Sequence, residues 1–355
     1  MKVAILGGGH GCYAAAADFT LRGHEVRLWR RQAAQRTQGY AIAMKDKNGE
    51  HDLRIALYTP DIGEAVRGAE LIVVPTPAFA QQDIAHKLAP HLADGQVVFL
   101  PPGTFGSLVM WRALRQAGNR ADVAFCETGT LPYLARKHGE HQVTITSYAT
   151  RLPTGVFPAR LSDHAFKVLR QGYPVEPVED ALSGALMNAG PVIHPPLILM
   201  NAGPLQHFPS WDIHNEGTQP AIRSVTDLLD QERIHVREKL GYEAPHFPLR
   251  DHYVGDQWMY GDAHQRLVDS GDWRENIDLL THRYMTEDVH YGLAFLVSVA
   301  DWCGASAPIA SGLLAIAGAI SGKDLKRGPR TIGALGLAAL TPDALKRQLV
   351  SGEGL

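Results

Sequence analysis

KVAILGGGHGCYAAAADFTL, residues 2–21, decides how this chain folds. Lys2 to Leu6 is a short apolar run that reads as a buried strand. Gly7, Gly8, Gly9, His10 and Gly11 follow as a turn, and Cys12 to Leu21 read as a helix that opens on the small run Ala14 to Ala17. A strand, a glycine turn and a helix in that order make the seat that a dinucleotide pyrophosphate needs. Gly7 permits the tight turn and Gly9 lets the backbone approach the phosphates. The helix N-terminus offers N–H groups and the positive end of its dipole. Cys12 takes the third small position, where the fingerprint has Gly or Ala, so the match is imperfect. The alternative is a tight strand-to-helix turn that holds no ligand.

A second strand follows at Glu25 to Trp29. In an NAD site an acid ends this strand and accepts hydrogen bonds from the ribose hydroxyls. Here the place holds Arg30, followed by Arg31. An acid repels a 2′-phosphate, whereas a guanidinium pairs with it bidentately, which favours NADP over NAD. The competing reading is a solvated basic edge that leaves either cofactor usable.

Outward from this corner the first half alternates. Strands are expected at Arg54 to Leu57, Glu70 to Val74, Gln96 to Leu100, Ala121 to Cys126, Gln142 to Tyr148 and Thr154 to Ala159. Helices are expected near Asp61 to Val66, Phe79 to Leu92, Phe105 to Gln116 and Asp163 to Gln171. Short apolar strands alternating with helices imply an α/β, doubly wound, Rossmann-type parallel sheet, with ligands at the carboxyl ends of its strands. Those ends carry Pro75, Thr76 and Pro77, then Pro102 and Gly103, then Glu127, Thr130 and Tyr133. Pro75, Thr76, Pro102, Gly103 and Thr130 are therefore candidates for cofactor contact; plain loop punctuation is the alternative. After about residue 180 strand signals give way to helical stretches at 220–240, 275–284, 291–303 and 308–320. The expected division is a dinucleotide-binding domain over 1–183 and an all-α substrate domain over 184–355, with substrate held between them.

Composition fits this. The chain has 355 residues, 45% of them hydrophobic, and a formal net charge of −3, values ordinary for a globular protein and without the basic excess of a nucleic-acid binder. A start directly at a strand leaves no room for a targeting peptide. The most apolar stretch, 291–321, is broken by Asp301, Gly304 and Pro308, so no membrane span is expected. Three cysteines, Cys12, Cys126 and Cys303, lack metal-like spacing and suit a reducing cytoplasm.

Two segments of the second half carry candidate chemistry. In 187–196, MNAGPVIHPP, His194 precedes two prolines. The residue before proline is pushed out of the α region, so His194 is expected at a stiff helix entrance, with Pro195 and Pro196 starting a helix through Met200. Its ordinary pKa suits proton transfer near neutrality; a structural helix cap is the alternative. In 283–293, RYMTEDVHYGL, Thr286 is expected as a helix N-cap with Glu287 and Asp288 in the first turn. Asp288 is a candidate orienting partner for a distant histidine, and Arg283 a candidate carboxylate clamp. Asn201 is a further candidate for substrate. His207, Trp211, Asp212 and His214 are crowded, but their spacing matches no common metal site, so no metal is expected.

The chain resembles the opine dehydrogenases, the octopine/nopaline dehydrogenase family in its compact bacterial form. The pieces that carry the resemblance are GGGHG at 7–11, ETGTLPYLAR at 127–136, NAGPVIHPP at 188–196, RYMTEDVHYGL at 283–293 and GPRTIGALGL at 328–337. The resemblance implies reductive condensation of a small 2-oxo acid such as pyruvate with the amino group of an amino acid or amine, through an imine that receives hydride from NAD(P)H. It gives His194 the proton-exchanging role, Asp288 the role of fixing its tautomer, and Arg283 that of holding a substrate carboxylate. Tyr133 and Asn201 become candidate substrate contacts. Two departures stand out: His290 replaces the proline usual after EDV, and Cys12 stands in the glycine turn. A simple 2-oxo-acid or hydroxy-acid reductase of the ketopantoate or glycerol-3-phosphate type is the alternative, and a non-catalytic dinucleotide sensor a third. A homodimer through apolar faces of the helical domain is compatible with the sequence.

Overall fold

The computed structural model describes residues 1–252, 254 and 277–355. The chain forms two compact units. One contains Met1–Ala185 and Gln348–Leu355; the other contains Leu186–His252 and, of the described residues, 277–347.

The first unit is built on a single 11-stranded sheet. Its strands are β1 (Lys2–Leu6), β2 (Glu25–Trp29), β3 (Thr37–Asp46), β4 (Gly49–Thr59), β5 (Leu71–Val73), β6 (Val97–Leu100), β7 (Ala124–Thr128), β8 (Tyr133–His138), β9 (Gln142–Tyr148), β10 (Leu152–Phe157) and β11 (Val175–Pro177). Their order is β11-β10-β7-β6-β5-β1-β2-β4-β3-β9-β8. The run β4-β2-β1-β5-β6-β7 is parallel, with Ile5 opposite Leu28 on one side and Val73 on the other. The chain winds one way from β1 and then crosses back to β5. The order therefore reverses between β1 and β5, the place where such sheets bind ligands. Helices α1 (His10–Leu21), α2 (Ile62–Val66), α3 (Ala78–Leu88), α4 (Gly106–Gln116), α5 (Ser162–Leu169) and α6 (Ala181–Ala185) complete the unit. Strands β5 and β6 are apolar and buried throughout, as a central parallel strand with both faces covered must be. Gly11 through Phe19 of α1 are all buried, and the alanine run keeps that helix slim where the sheet and β8 enclose it.

The sheet is larger than the sequence reading expected. Strand β3 was absent from it and only Arg54 to Leu57 of β4 was expected, although Tyr40, Ile42 and Met44 alternate with exposed residues and Lys47-Asn48, followed by Gly49, makes a tight hairpin link. Strand β8 was absent too: Tyr133, expected at the end of the preceding strand, opens a strand to His138 that pairs antiparallel with β9.

The second unit contains α7 (Gly190–Met200), α8 (Ala202–His207), α9 (Pro220–Lys239), a π-helix (Tyr284–Leu293), α10 (Ala294–Cys303) and α11 (Pro308–Ser321); α12 (Pro342–Ser351) follows near the end of the chain. Among the described residues no strand follows Pro177. The Glu232 carboxylate of α9 accepts from the backbone N–H groups of Ile309 (2.7 Å) and Ala310 (2.8 Å), capping the start of α11. Of the helix expected over 275–284, residues 275–276 lie outside the described residues. From Asp278 the chain turns instead, its carboxylate accepting from Leu280 N and Thr281 N. No described helix is long and apolar enough to cross a membrane.

Candidate active site

The glycine turn is shaped by what surrounds it. Gly7 has φ +129°, and a Cβ there would stand 2.8 Å from Cys12 Sγ and 3.0 Å from the Thr76 methyl. A Cβ on Gly11 would meet Leu131 at 2.8 Å and Pro75 at 3.3 Å, whereas above Gly9 there is open space. Gly9 caps α1 without a side-chain hydrogen bond. Thr76 places a buried hydroxyl, without a partner among the described residues, beside this turn. A cradle closed below and open above Gly9, at a helix N-terminus, fits a dinucleotide pyrophosphate.

Cys12 stands as a small apolar residue. Its Sγ lies 3.7 Å from Leu6 O and 3.8 Å from Pro75 O. Burial pushes its thiol up to about 12, so no thiolate forms near neutrality. In the folded protein Cys12 is expected to resist iodoacetamide at about pH 8 and to react only after denaturation. Peptide mass spectrometry of both samples reads this, and native labelling at a free-thiol rate would refute the assignment.

Two cations converge on Gly8. The Arg30 side chain lies 3.1 Å from where a Gly8 Cβ would stand, its guanidinium paired with Glu140 at 2.6 Å. The Lys137 ammonium is 3.4 Å from Gly8 O and 4.0 Å above the Tyr13 ring, and Lys137 N donates to His10 Nδ1 at 2.9 Å. Burial, and then Arg30, hold the Lys137 ammonium below its usual pKa. Sequence reasoning missed Lys137 because no strand was expected at β8. Arg31 points elsewhere, pairing with Asp83 at the surface.

The other strand-end loops have structural work. Gly103 packs on Glu127, whose Oε2 lies 2.0 Å from where a Gly103 Cβ would stand. Glu127 is fully buried and accepts from Phe105 N (2.6 Å), Ser107 N (3.2 Å) and the Ser107 hydroxyl. It therefore anchors the start of α4. Gln81 Nε2 donates to Gly103 O at 3.0 Å and Pro102 O at 3.5 Å, fixing that loop. Thr130 sits beside Leu131 in the loop that covers Gly11. Tyr133, expected at substrate, is only 3% exposed, and its hydroxyl donates to buried Asp18 at 2.8 Å. It belongs to the core of the first unit, because β8 turns its ring inward.

In the second unit α7 and the π-helix bring the candidate catalytic residues together. His194 Nδ1 and Asp288 Oδ2 are 2.8 Å apart. A carboxylate only accepts, so Nδ1 carries the hydrogen and Nε2 is left to exchange protons. The close packing rests on two glycines. A Cβ on Gly190 would stand 2.2 Å from Asp288 Oδ1, and one on Gly292 would stand 2.2 Å from Pro191 Cγ. Asn188 Oδ1 accepts from Gly190 N at 3.0 Å, closing the start of α7.

Two local expectations are corrected. His194 is not at a helix entrance: α7 begins at Gly190 and runs through Pro195 and Pro196. The bias of a pre-proline residue against the α region is overridden by burial of Val192 and of Pro195 to Leu199. Thr286 is not an N-cap either; it lies inside the π-helix, its hydroxyl donating to His282 O at 3.2 Å. The π geometry bears on function. In an α-helix residues five apart point about 140° away from each other. Hydrogen bonds from residue i to i+5 bring them towards one side, so the π-helix presents its residues differently from an α-helix of the same sequence.

Arg283 is half-exposed and lies 3.1 Å from buried Glu287. Tyr284, which sequence reasoning passed over, stacks on His194 with ring centroids 3.7 Å apart and planes at 12°. Its hydroxyl is 3.1 Å from His214 Nε2. Asn201 is corrected to a structural residue: its Nδ2 donates to Leu197 O (2.8 Å) and Gly217 O (3.0 Å), and its Oδ1 accepts from Trp211 Nε1 (3.0 Å). His290 is buried in the π-helix, and burial, then Lys323, hold its imidazole below the usual value, so the proline usual there is replaced by a neutral ring.

Comparison with known proteins agrees with this arrangement. Residues 177–321 match the family model for the NAD/NADP octopine/nopaline dehydrogenase alpha-helical domain. Residues 2–101 match that for the NAD-dependent glycerol-3-phosphate dehydrogenase N-terminus. An opine dehydrogenase of Arthrobacter sp. (strain 1C) is 26% identical over 97% of this chain and 97% of its own. The fold is that of octopine dehydrogenase, solved in complex with NADH and agmatine (20% identity, TM-score 0.69, 99% of this chain and 98% of that one). It is also that of yersinopine dehydrogenase with NADP+ bound (16% identity, TM-score 0.66, 99% and 98%). With its helical domain matched by the octopine/nopaline family and nearly its full length aligned to an opine dehydrogenase, the chain is similar to the opine dehydrogenases, NAD(P)-dependent oxidoreductases acting on CH–NH bonds.

Proposed function

We propose that this protein condenses a small 2-oxo acid of the pyruvate class with the amino group of an amino acid or amine, that His194, Asp288 and Arg283 carry the reaction, and that NADPH is the preferred cofactor. The observation that carries the reading is the His194–Asp288 hydrogen bond of 2.8 Å in a helical domain of this family.

Gly7, Gly9, His10, Gly11 and Cys12 would hold the pyrophosphate, with Pro75 and Thr76 beside them. Pro102, Gly103 and Thr130 are proposed contacts further along the cofactor. When bound, the dihydronicotinamide supplies hydride to the imine carbon. The protein supplies the rest. Arg283 binds a substrate carboxylate. Amine and oxo acid add to a carbinolamine; His194 Nε2 gives a proton to the departing hydroxyl, water leaves, and the imine forms. After reduction the product is a secondary amine flanked by the carbon skeletons of both substrates. Asp288 stabilises the charged imidazole at each protonated stage.

Arg30 and Lys137 support the NADPH preference. The Arg30–Glu140 pair is solvent-facing on its acidic side and screened by water, so a 2′-phosphate can displace the carboxylate. A charge-assisted contact contributes ~1.5–3 kcal/mol, so Arg30→Ala and Lys137→Ala are each expected to raise KM for NADPH about 10- to 100-fold. KM for NADH should stay within about threefold. An equal rise for both cofactors would place the two cations at the pyrophosphate, and no rise for either would place them away from the cofactor.

The reaction itself is tested by following NADPH and NADH oxidation with pyruvate alone, then with amino acids and simple amines added. Oxidation that requires an amine supports the condensation, and the best amine names the second substrate. Oxidation by the oxo acid alone would replace it with the simple reductase, a reading that the match of residues 2–101 to the glycerol-3-phosphate dehydrogenase N-terminus favours.

A further inference from the structure

The bond from His194 to Asp288 fixes one atom of the imidazole and leaves the ring a pivot about the Nδ1···Oδ2 line. What removes the pivot is the face of Tyr284, stacked on His194 at 3.7 Å and 12°. Tyr284 is itself held on two sides. Its hydroxyl meets His214 Nε2 at 3.1 Å, and the His282 ring stands edge-on to it at 4.4 Å and 86°. It is 5% exposed, so its ring has little room to swing. Tyr284 and Asp288 are four residues apart on the π-helix, so one rigid element sets both the anchor and the plane of the imidazole.

We propose that Tyr284 is a positioning residue for this reaction: its ring holds the plane of His194, and His214 holds the ring through the hydroxyl. With Nδ1 committed to Asp288 and one face covered, Nε2 points in a single direction. Proton transfer depends on that direction far more than on substrate affinity does. The kinetic part of this proposal rests on His194 being the proton-exchanging residue; the stacking part does not.

The test uses the full chain with Tyr284→Leu, Tyr284→Phe and His214→Ala. Ring-current shifts of the His194 ring protons, read by NMR without substrate and assigned with His194→Gln, report the stack directly. Tyr284→Leu is expected to abolish the upfield shift and to lower kcat about tenfold or more, with KM for both substrates within about threefold. Tyr284→Phe, which keeps the ring, is expected to restore the shift and most of kcat. His214→Ala, which keeps the ring and loses the same hydroxyl anchor, is expected to match Tyr284→Phe. A Tyr284→Leu enzyme with wild-type kcat, or a kcat loss that Tyr284→Phe fails to rescue, overturns the proposal. If Tyr284→Leu does not fold, Tyr284→Phe and His214→Ala decide it: a His194 shift and kcat in His214→Ala that differ from those of Tyr284→Phe, or wild-type values in both, refute the hydroxyl anchor. Absence of amine-dependent turnover in the wild type would instead sink the proposed function, leaving the NMR measurement of the stack intact.

Discussion

Replacing His194 with alanine is expected to lower kcat by about 10²–10⁴, the range spanned by a positioned general acid–base group. The affinity for NADPH should not follow, because the glycine turn, Arg30 and Lys137 belong to the first unit and His194 to the second. Asp288→Asn is expected to cost about 10² in kcat. An amide no longer holds the Nδ1–H tautomer by charge and does not stabilise a protonated ring. The two substitutions act on one unit, so the double variant should be little worse than His194→Ala alone. Steady-state kinetics with saturating oxo acid and amine, beside a fluorescence titration of NADPH, separate these effects. A His194→Ala enzyme within about threefold of wild-type kcat would remove this histidine from the chemistry.

What the sequence shows of this molecule follows the range of the forces involved. The β1–turn–α1 corner is legible because Gly7 to Gly11 answer to local sterics, and the parallel core is legible because both faces of β5 and β6 are buried and so apolar throughout. Strand β3 was legible as well, in Tyr40, Ile42 and Met44 and in the Lys47-Asn48 link before Gly49, and was passed over. Strand β8 was harder, since YLARKH has no clean alternation and becomes a strand only by pairing with β9. The site divides in the same way. His194, Asp288 and Arg283 are candidates that their motifs single out, yet their backbone was misjudged. Local rules make Pro195 a helix start and Thr286 a cap, and packing between α7 and the π-helix overrides both. Tyr133 and Asn201 look like substrate contacts by type and place. Only the structure shows their polar atoms committed to Asp18, Leu197, Gly217 and Trp211. Tyr284 and Lys137 matter through neighbours distant in sequence, His194 and Gly8, which no local pattern reveals.

Gly190→Ala sets helix propensity against the geometry of the site, and the magnitudes decide the outcome. Alanine is the better helix former by about 1 kcal/mol, so α7 alone would gain. The new Cβ, however, would stand 2.2 Å from Asp288 Oδ1 and 3.1 Å from its Cγ, where ordinary contact needs about 3.5–4.0 Å. The carboxylate is the end of a short side chain and can rotate away, so relief comes by breaking the 2.8 Å bond to His194 rather than by unfolding. Stability should therefore change little, while kcat falls about 10²-fold, close to the effect of Asp288→Asn. Gly292→Ala makes the contrast. Its Cβ would meet the Pro191 ring at 2.2 and 2.9 Å, and a proline ring cannot rotate aside. The π-helix and α7 must separate, at about 1–3 kcal/mol of stability, and the melting temperature should drop by several degrees along with the activity. Thermal unfolding and kinetics on both variants distinguish the two responses. If Gly190→Ala kept wild-type kcat, the Asp288 carboxylate would not be needed where it lies, and the pairing of His194 with Asp288 would be structural rather than catalytic.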